Sequence, residues 1–234
     1  MTEQKDLSGR VVLVTGASRG IGFSAAREVA RRGAHVVAVA RTVGGLEDLD
    51  DQVQALGSSA TLVPLDLKDG DAIDRLGAAI FERWGHLDGL IGNAGQLGII
   101  SPLPHIDPQE WEKVFAINVT ANFRLIRSMD LLLRQSDAGR LVFVSSGAAK
   151  TCRPNWGVYS ASKAALDAMI KTYAAEMQST AVNANIFYPG LARHALRAQA
   201  MPDEDPQTRP TPDQNAGAQA DLTHPGCPAN GQRT

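Results

Sequence analysis

The chain has 234 residues, too short for two ordinary domains with a linker and ample for one α/β domain. Hydrophobic residues at 44% and charged residues at 21% match an average globular chain and exclude a mainly disordered, collagen-like or disulfide-framework protein. Lys and Arg number 23 against 25 Asp and Glu, so no basic excess announces nucleic acid or an acidic membrane surface.

The opening residues, Met1 to Asp6, are polar and lack the apolar core of a signal peptide. No apolar run reaches the length of a membrane span, so the expected location is the cytoplasm. Val11 to Val14 is a short apolar run that reads as a strand, followed by a glycine-rich turn and a helix from Phe23 to Arg32 that ends at Gly33. His35 to Ala40 and Thr61 to Leu65 read as the second and third strands. Ala72 to Trp84 places Ile73, Leu76 and Ile80 on one helical face. Leu87 to Gly92 is a fourth strand, and Pro108 suits the first turn of a long helix from Gln109 to Arg134. Leu141 to Val144 is a fifth strand, Trp156 to Met177 a second long helix, and Val182 to Tyr188 a sixth strand.

Strands that are apolar on both faces and separated by helices predict a parallel sheet covered on both sides. Right-handed crossovers make that a single doubly wound, Rossmann-type α/β sheet. After Pro202 the texture changes: Pro206, Pro210, Pro212, Pro225 and Pro228 follow, and from Gln214 to Thr234 the only large aliphatic residue is Leu222. The expectation is one domain over 1–212 and a loose, polar, proline-rich tail over 213–234. Cys152 and Cys227 are far apart and neither belongs to a C-x-x-C pair, so neither a metal site nor a disulfide framework is expected.

The first strand runs into Thr15-Gly16-Ala17-Ser18-Arg19-Gly20-Ile21-Gly22. Glycines there let backbone N–H groups approach a pyrophosphate, and the following helix offers unpaired donors and a partial positive charge. No Lys-Ser or Lys-Thr follows, which excludes a P-loop. The second strand ends at Arg41, where an acidic residue would have accepted hydrogen bonds from a ribose. A guanidinium suits a 2′-phosphate instead, and Arg19 can add a second charge, so NADP is the expected cofactor, with NAD possible.

Tyr159 and Lys163 lie four apart on a helix and share a face. A neighbouring ammonium favours the tyrosinate, so the pair can work as one acid/base unit. Ser146 ends the fifth strand and Asn93-Ala94-Gly95 ends the fourth, both at the carboxyl edge where such sheets bind ligands. Asn118 sits between Ile117 and Val119 in mid-helix, where a polar side chain is either satisfied by backbone or has a task.

Taken together, the glycine turn, Asn93-Ala94-Gly95, Asn118, Ser146, Tyr159-x-x-x-Lys163 and Pro189-Gly190 resemble the compact branch of the short-chain dehydrogenases/reductases over about residues 8 to 212. Asp137-Ala138-Gly139, Asn155-Trp156-Gly157 and Arg197 to Ala200 are similar to a bacterial subgroup known mostly as unassigned oxidoreductases. The resemblance implies that Tyr159 exchanges the proton with the substrate oxygen and that Ser146 polarises it. It implies that Lys163 holds the nicotinamide ribose and lowers the tyrosine pKa, and that Asn118 holds a relay water. Asp66 and Leu67 would border the adenine, and Asn93 would support the ribose and the central strand. Gly16, Ser18, Arg19, Gly20, Ile21, Gly22, Arg41, Ala94, Gly95, Pro189 and Gly190 complete the expected cofactor contacts.

Three departures stand out. Tyr188 replaces the asparagine usual before Pro189, His194 replaces a threonine, and the region of the family's last helix and seventh strand is polar and proline-rich. The main reading is an NADP-dependent oxidoreductase for a small carbonyl or secondary alcohol. Its expected pocket wall is Gln96, Leu97, Arg153, Trp156 and Leu191 to Met201. A nucleotide-binding scaffold with little catalysis is the alternative that the departures favour. A methyltransferase on a similar sheet leaves Ser146 and the Tyr159–Lys163 pair without a purpose. The expected assembly is a homodimer through the two long helices, with a tetramer possible.

Overall fold

The computed structural model describes residues 5–234; of the polar opening stretch, Met1 to Gln4 lie outside the described residues. In chain order the elements are β1 (Val11–Thr15), α1 (Gly20–Arg31), β2 (His35–Ala40), α2 (Val43–Ala55), β3 (Ala60–Pro64), α3 (Gly70–Trp84) and β4 (Gly89–Gly92). Then come α4 (Pro108–Phe115), a π turn (Ala116–Thr120), α5 (Ala121–Gln135), β5 (Arg140–Val144), the short α6 (Ala148–Thr151) and α7 (Gly157–Glu176). β6 (Asn183–Phe187), α8 (Ala195–Ala200) and α9 (Asp213–Thr223) complete the chain. All strand pairs are parallel, in the order β3-β2-β1-β4-β5-β6. This is the doubly wound arrangement that the alternating apolar strands and helices predict.

Strand alternation sorts the core into two layers. Val11 and Leu13 pack with Ile73, Leu125, Leu166 and Ile170 beneath α3, α5 and α7. Val12 and Val14 pack with Ala25, Val29, Leu46 and Leu49 beneath α1 and α2. Both faces of β1 are therefore buried, which is why Val11 to Val14 run apolar without a polar alternate.

Two helical features differ from the sequence reading. α2 was not expected: its apolar positions are few, and Gly44 and Gly45 stand in its first turn, yet Leu46, Leu49 and Val53 are buried at helical spacing. The single long helix expected over Gln109 to Arg134 is interrupted by the π turn, where the Ala121 N–H bonds the Ala116 carbonyl five residues back.

The expected loose tail is a correction. α9 packs on α1, burying Ala216, Gln219, Ala220, Leu222 and Thr223. Ser24 donates to Asp213 at 2.6 Å, Arg27 pairs with Asp213 at 2.9 Å, and Arg32 pairs with Asp221 at 2.7 Å. The residues after it run alongside β6. The amides of Ile186 and Tyr188 bond the carbonyls of Gln232 and Thr234 at 2.9 and 2.7 Å, and the amides of Gly231 and Thr234 bond the carbonyls of Ala184 and Ile186 at 2.8 and 3.0 Å. Residues 231–234 thus cover the β6 edge as a short parallel segment. Counting large aliphatic side chains missed this because Ala216 and Ala220 pack by being small, which lets α9 approach closely, and the segment beside β6 is held by backbone bonds.

Leu222→Ala should therefore lower unfolding stability by about 2–3 kcal/mol, as core truncations do, in urea titrations. A loose tail would leave the midpoint unchanged.

Candidate active site

The strand order reverses direction between β1 and β4, and a cleft of about 350 Å³ opens at their carboxyl ends. Thr15 Oγ1 accepts from the amides of Asn93 and Ala94 at 3.0 and 3.1 Å. Asn93 Nδ2 donates back to the carbonyls of Thr15 and Gly16 at 3.0 and 3.4 Å. Asn93 is thus a clamp across the strand ends. The glycines beside it are required by that clamp: a Cβ on Gly16, whose φ is +67°, would lie 2.8 Å from Asn93 Nδ2, and one on Gly22 only 2.3 Å.

α3 begins at an Asp69 side chain that accepts from the Ala72 amide. α1, by contrast, has no side-chain cap among the described residues, and its first amides open on the cleft. Gly16, Ser18, Arg19, Gly20 and Ile21 line this end, with Arg41 and Thr42 across from them; Arg19 and Arg41 are exposed. Gly22 packs on Asn93 and stays outside the lining. Leu65 and Leu67 form an apolar wall, while Asp66 is exposed, accepts from the Lys68 amide at 3.0 Å and does not line the cleft. Asn93, Ala94, Gly95, Pro189 and Gly190 line the middle. This donor set fits a dinucleotide: uncapped amides for a pyrophosphate, two guanidinium groups for a 2′-phosphate and two leucines for a base.

At the far end stand Ser146, Tyr159 and Lys163. α7 places Tyr159 and Lys163 one turn apart, both buried. Lys163 Nζ donates to the Val144 carbonyl at 2.8 Å, an anchor at the end of β5. Ser146 follows β5, and its Oγ accepts from the Ala148 amide at 3.2 Å. Asn118 is fully buried in the π turn. Its Oδ1 accepts from the Gln96 amide at 2.9 Å, and its Nδ2 donates to the Gln96 carbonyl at 2.9 Å and to Ser162 Oγ at 3.0 Å. The Asn118 carbonyl accepts from Asn122 Nδ2 at 2.8 Å. Asn118 therefore ties the loop after β4 to α7, and Ser162 was not foreseen as its partner.

Gln96, Leu97, Trp156, Leu196, Gln199 and Met201 also line the cleft, with the Trp156 ring edge-on to Tyr159 at 6.1 Å. Arg153 and Leu191 are exposed and outside the lining. His194 caps α8, its Nδ1 accepting from the Arg197 amide at 3.3 Å, and it faces the glycine turn. Arg197 and Arg209 both pair with Glu204, which pushes its pKa down to about 2 and pins this segment over the cleft.

Burial raises the Tyr159 pKa above the ordinary phenol value, and its hydrogen bond with Ser146 works the other way. The lowering expected from Lys163 does not appear: the ammonium lies 5.9 Å from the ring centroid and is itself bound to Val144. Burial pulls Lys163 down to about 8, opposed by the nearby Asp167 carboxylate. Burial also lowers His194, reinforced by Arg197 and Lys163.

Lys163 charged in the folded state costs stability below pH 8; as pH rises from about 8 towards 10.5 that cost disappears, because only the unfolded chain still binds the proton. Lys163→Met should consequently be the more stable protein at pH 7, with its margin shrinking across that window. Chemical denaturation at several pH values reads the margin, and a constant margin would contradict the buried ammonium.

Residues 10–205 match the family model of the short chain dehydrogenases. The chain is 39% identical over 213 residues to the uncharacterized oxidoreductase YciK of Escherichia coli K12, covering 90% of this chain and 84% of the relative. It is 33% identical over 203 residues to 2,3-dihydro-2,3-dihydroxybenzoate dehydrogenase of Bacillus subtilis, covering 86% and 77%. A short chain dehydrogenase from Salmonella enterica serovar Typhi superposes with a TM-score of 0.95 at 35% identity, covering 100% of this chain and 98% of that one. One from Escherichia coli CFT073, complexed with NADPH, does so at 0.93 and 37%, covering 98% of each. With a family match over most of its length and these relatives, the chain belongs to the short-chain dehydrogenase/reductase family.

Proposed function

We propose that the protein is an NADP-preferring oxidoreductase that interconverts a small carbonyl compound and its secondary alcohol, with Tyr159 as the acid/base. The observation that carries this reading is one cleft with Ser146, Tyr159 and Lys163 at one end and Arg19 and Arg41 at the other. The NADPH held by the E. coli CFT073 relative supports the choice of cofactor.

A bound nicotinamide dinucleotide supplies hydride chemistry at its ring. The chain's residues do the rest. The α1 amides hold the pyrophosphate, Arg19 and Arg41 take the 2′-phosphate, and Leu65 and Leu67 flank the adenine. Tyr159 passes its phenolic proton to the substrate oxygen during reduction and takes it back during oxidation. Ser146 donates to the same oxygen and so polarises the carbonyl. Lys163 binds the ribose hydroxyls and favours the developing tyrosinate. The Asn118 carbonyl, which accepts from Asn122 Nδ2, holds a water that links Lys163 to solvent. The mixed wall of Gln96, Leu97, Trp156, Leu196 and Met201 suits a small substrate with both apolar and polar groups.

No described helix is long and apolar enough to cross a membrane; we place the enzyme in the cytoplasm. Phe123 and Leu131, 52% and 73% exposed on α5, support a homodimer through the long helices.

Tyr159→Phe keeps the ring and removes the proton; kcat should fall by about 10²–10⁴-fold while NADPH affinity is retained. NADPH oxidation across a panel of aldehydes and ketones measures this, and turnover near wild type would remove Tyr159 from its role.

Arg41→Asp replaces attraction by repulsion at the 2′-phosphate. Hydrogen bonds to charged groups are worth about 1.5–3 kcal/mol, so the preference for NADP over NAD should collapse or invert. Fluorescence titration of both cofactors decides it: an unchanged ratio of dissociation constants takes Arg41 out of the site.

A further inference from the structure

Two of the departures from the family pattern meet in space. The Tyr188 hydroxyl donates to the Ser146 carbonyl. The Arg233 guanidinium stacks on the Tyr188 ring, 3.6 Å from its centroid, and its Nη2 donates to the same Ser146 carbonyl at 3.1 Å. Its Nη1 lies 3.3 Å from Asp167 Oδ2, with the two side chains only 14% and 9% exposed. Asp167 stands on α7 one turn beyond Lys163, and its charge acts on that lysine. The pairing of residues 231–234 with β6 fixes the backbone from which Arg233 reaches. One guanidinium thus touches the peptide of Ser146 and the carboxylate beside Lys163.

We propose that Arg233 is a positioning residue for the reaction: it fixes the Ser146 carbonyl and holds Asp167 beside Lys163, so that residues 231–234 complete the active site. The inference rests on Ser146, Tyr159 and Lys163 carrying the chemistry proposed above. A largely buried ion pair is weak evidence for a gain in stability, since apolar residues of similar volume serve as well. What an apolar residue does not supply is a planar fork that stacks and donates in two directions at once. Tyr188 provides the platform for that fork, which accounts for a tyrosine where asparagine is usual. The charged and titratable groups around Lys163 are Asp167 and Tyr159 on α7 and His194 at the start of α8; those around Asp167 are Lys163 and Arg233.

The test uses the full chain with Arg233→Ala, Arg233→Lys and Tyr188→Phe. Small misplacements of catalytic groups cost up to about a hundredfold, so Arg233→Ala should lower kcat by about ten- to a hundredfold with NADPH affinity nearly unchanged. Arg233→Lys, which keeps a cation but not the fork, should recover part of that loss. Tyr188→Phe keeps the ring but removes one of the two donors to the Ser146 carbonyl, and should give a smaller fall. Separately, NMR titration of labelled lysine in the free protein reads Lys163 without turnover. Losing Arg233 leaves Asp167 facing Lys163 alone, so Lys163 should deprotonate at higher pH than in wild type. If Arg233→Ala does not fold, the other two variants carry the same measurements. A folded Arg233→Ala with kcat within about twofold of wild type and an unmoved Lys163 titration overturns the proposal, even if its melting temperature falls. Wild-type protein with no turnover on any carbonyl defeats the oxidoreductase reading instead, and the lysine titration then still decides the role of Arg233.

Discussion

The cleft depends on the clamp between the ends of β1 and β4. Adjacent parallel strands that send their chains to opposite faces must part at their carboxyl ends, and an open crevice there exposes backbone groups that want partners. Thr15 Oγ1 and the Asn93 side chain supply them, with four bonds across the two chain ends. The space they occupy sets the demands on the neighbours: Gly16 and Gly22 have no room for a side chain. The first turn of α1 is held close to β4 as a result, and its amides face the crevice. Asn93 works here as structure at the strand ends, and it also lines the cleft.

The same crevice concentrates the energetic costs of the molecule. Among the described residues α1 starts without a side-chain cap, and Lys163 keeps an ammonium in a buried position where the Val144 carbonyl and the charge of Asp167 compensate it. The two apolar layers beneath α1 and α2 and beneath α3, α5 and α7 offset both. Strain in function and surplus in the core are typical partners.

Local chemistry was legible in the sequence, and long-range chemistry was not. The glycine turn between a strand and a helix, the four-residue spacing of Tyr159 and Lys163, and the apolar strands each carry their meaning within a few residues. The resemblance to short-chain dehydrogenases/reductases rested on such signals, and the family match and the six-stranded parallel sheet bear it out. Asn118 could be seen as a polar residue in need of a reason, but its partners, Gln96 and Ser162, are 22 and 44 residues away. α9 could not be read from hydrophobic content because its contact with α1 is made by small side chains and ion pairs. Arg233 had no signal at all until Tyr188 and Asp167 were brought to it. The one trace of that cluster, Tyr188 in an unusual place, favours the scaffold alternative when taken alone.

The π turn at Ala116–Thr120 has a consequence for how this helix can vary by insertion and deletion. A π turn accommodates one residue more than α-helical winding over the same rise, while the segments on either side keep their rotational phase. Deleting a residue there would let α4 and α5 merge into one regular helix, each still presenting the same faces to α3 and α7. Such a deletion would cost the fold the bonds by which Asn118 ties the loop after β4 to α7. The Asn118 side chain would swing off Gln96 and Ser162. The extra residue is thus what aims Asn118 at Gln96 and Ser162, and a shorter relative without it would have a more regular helix and a looser tie to the loop after β4.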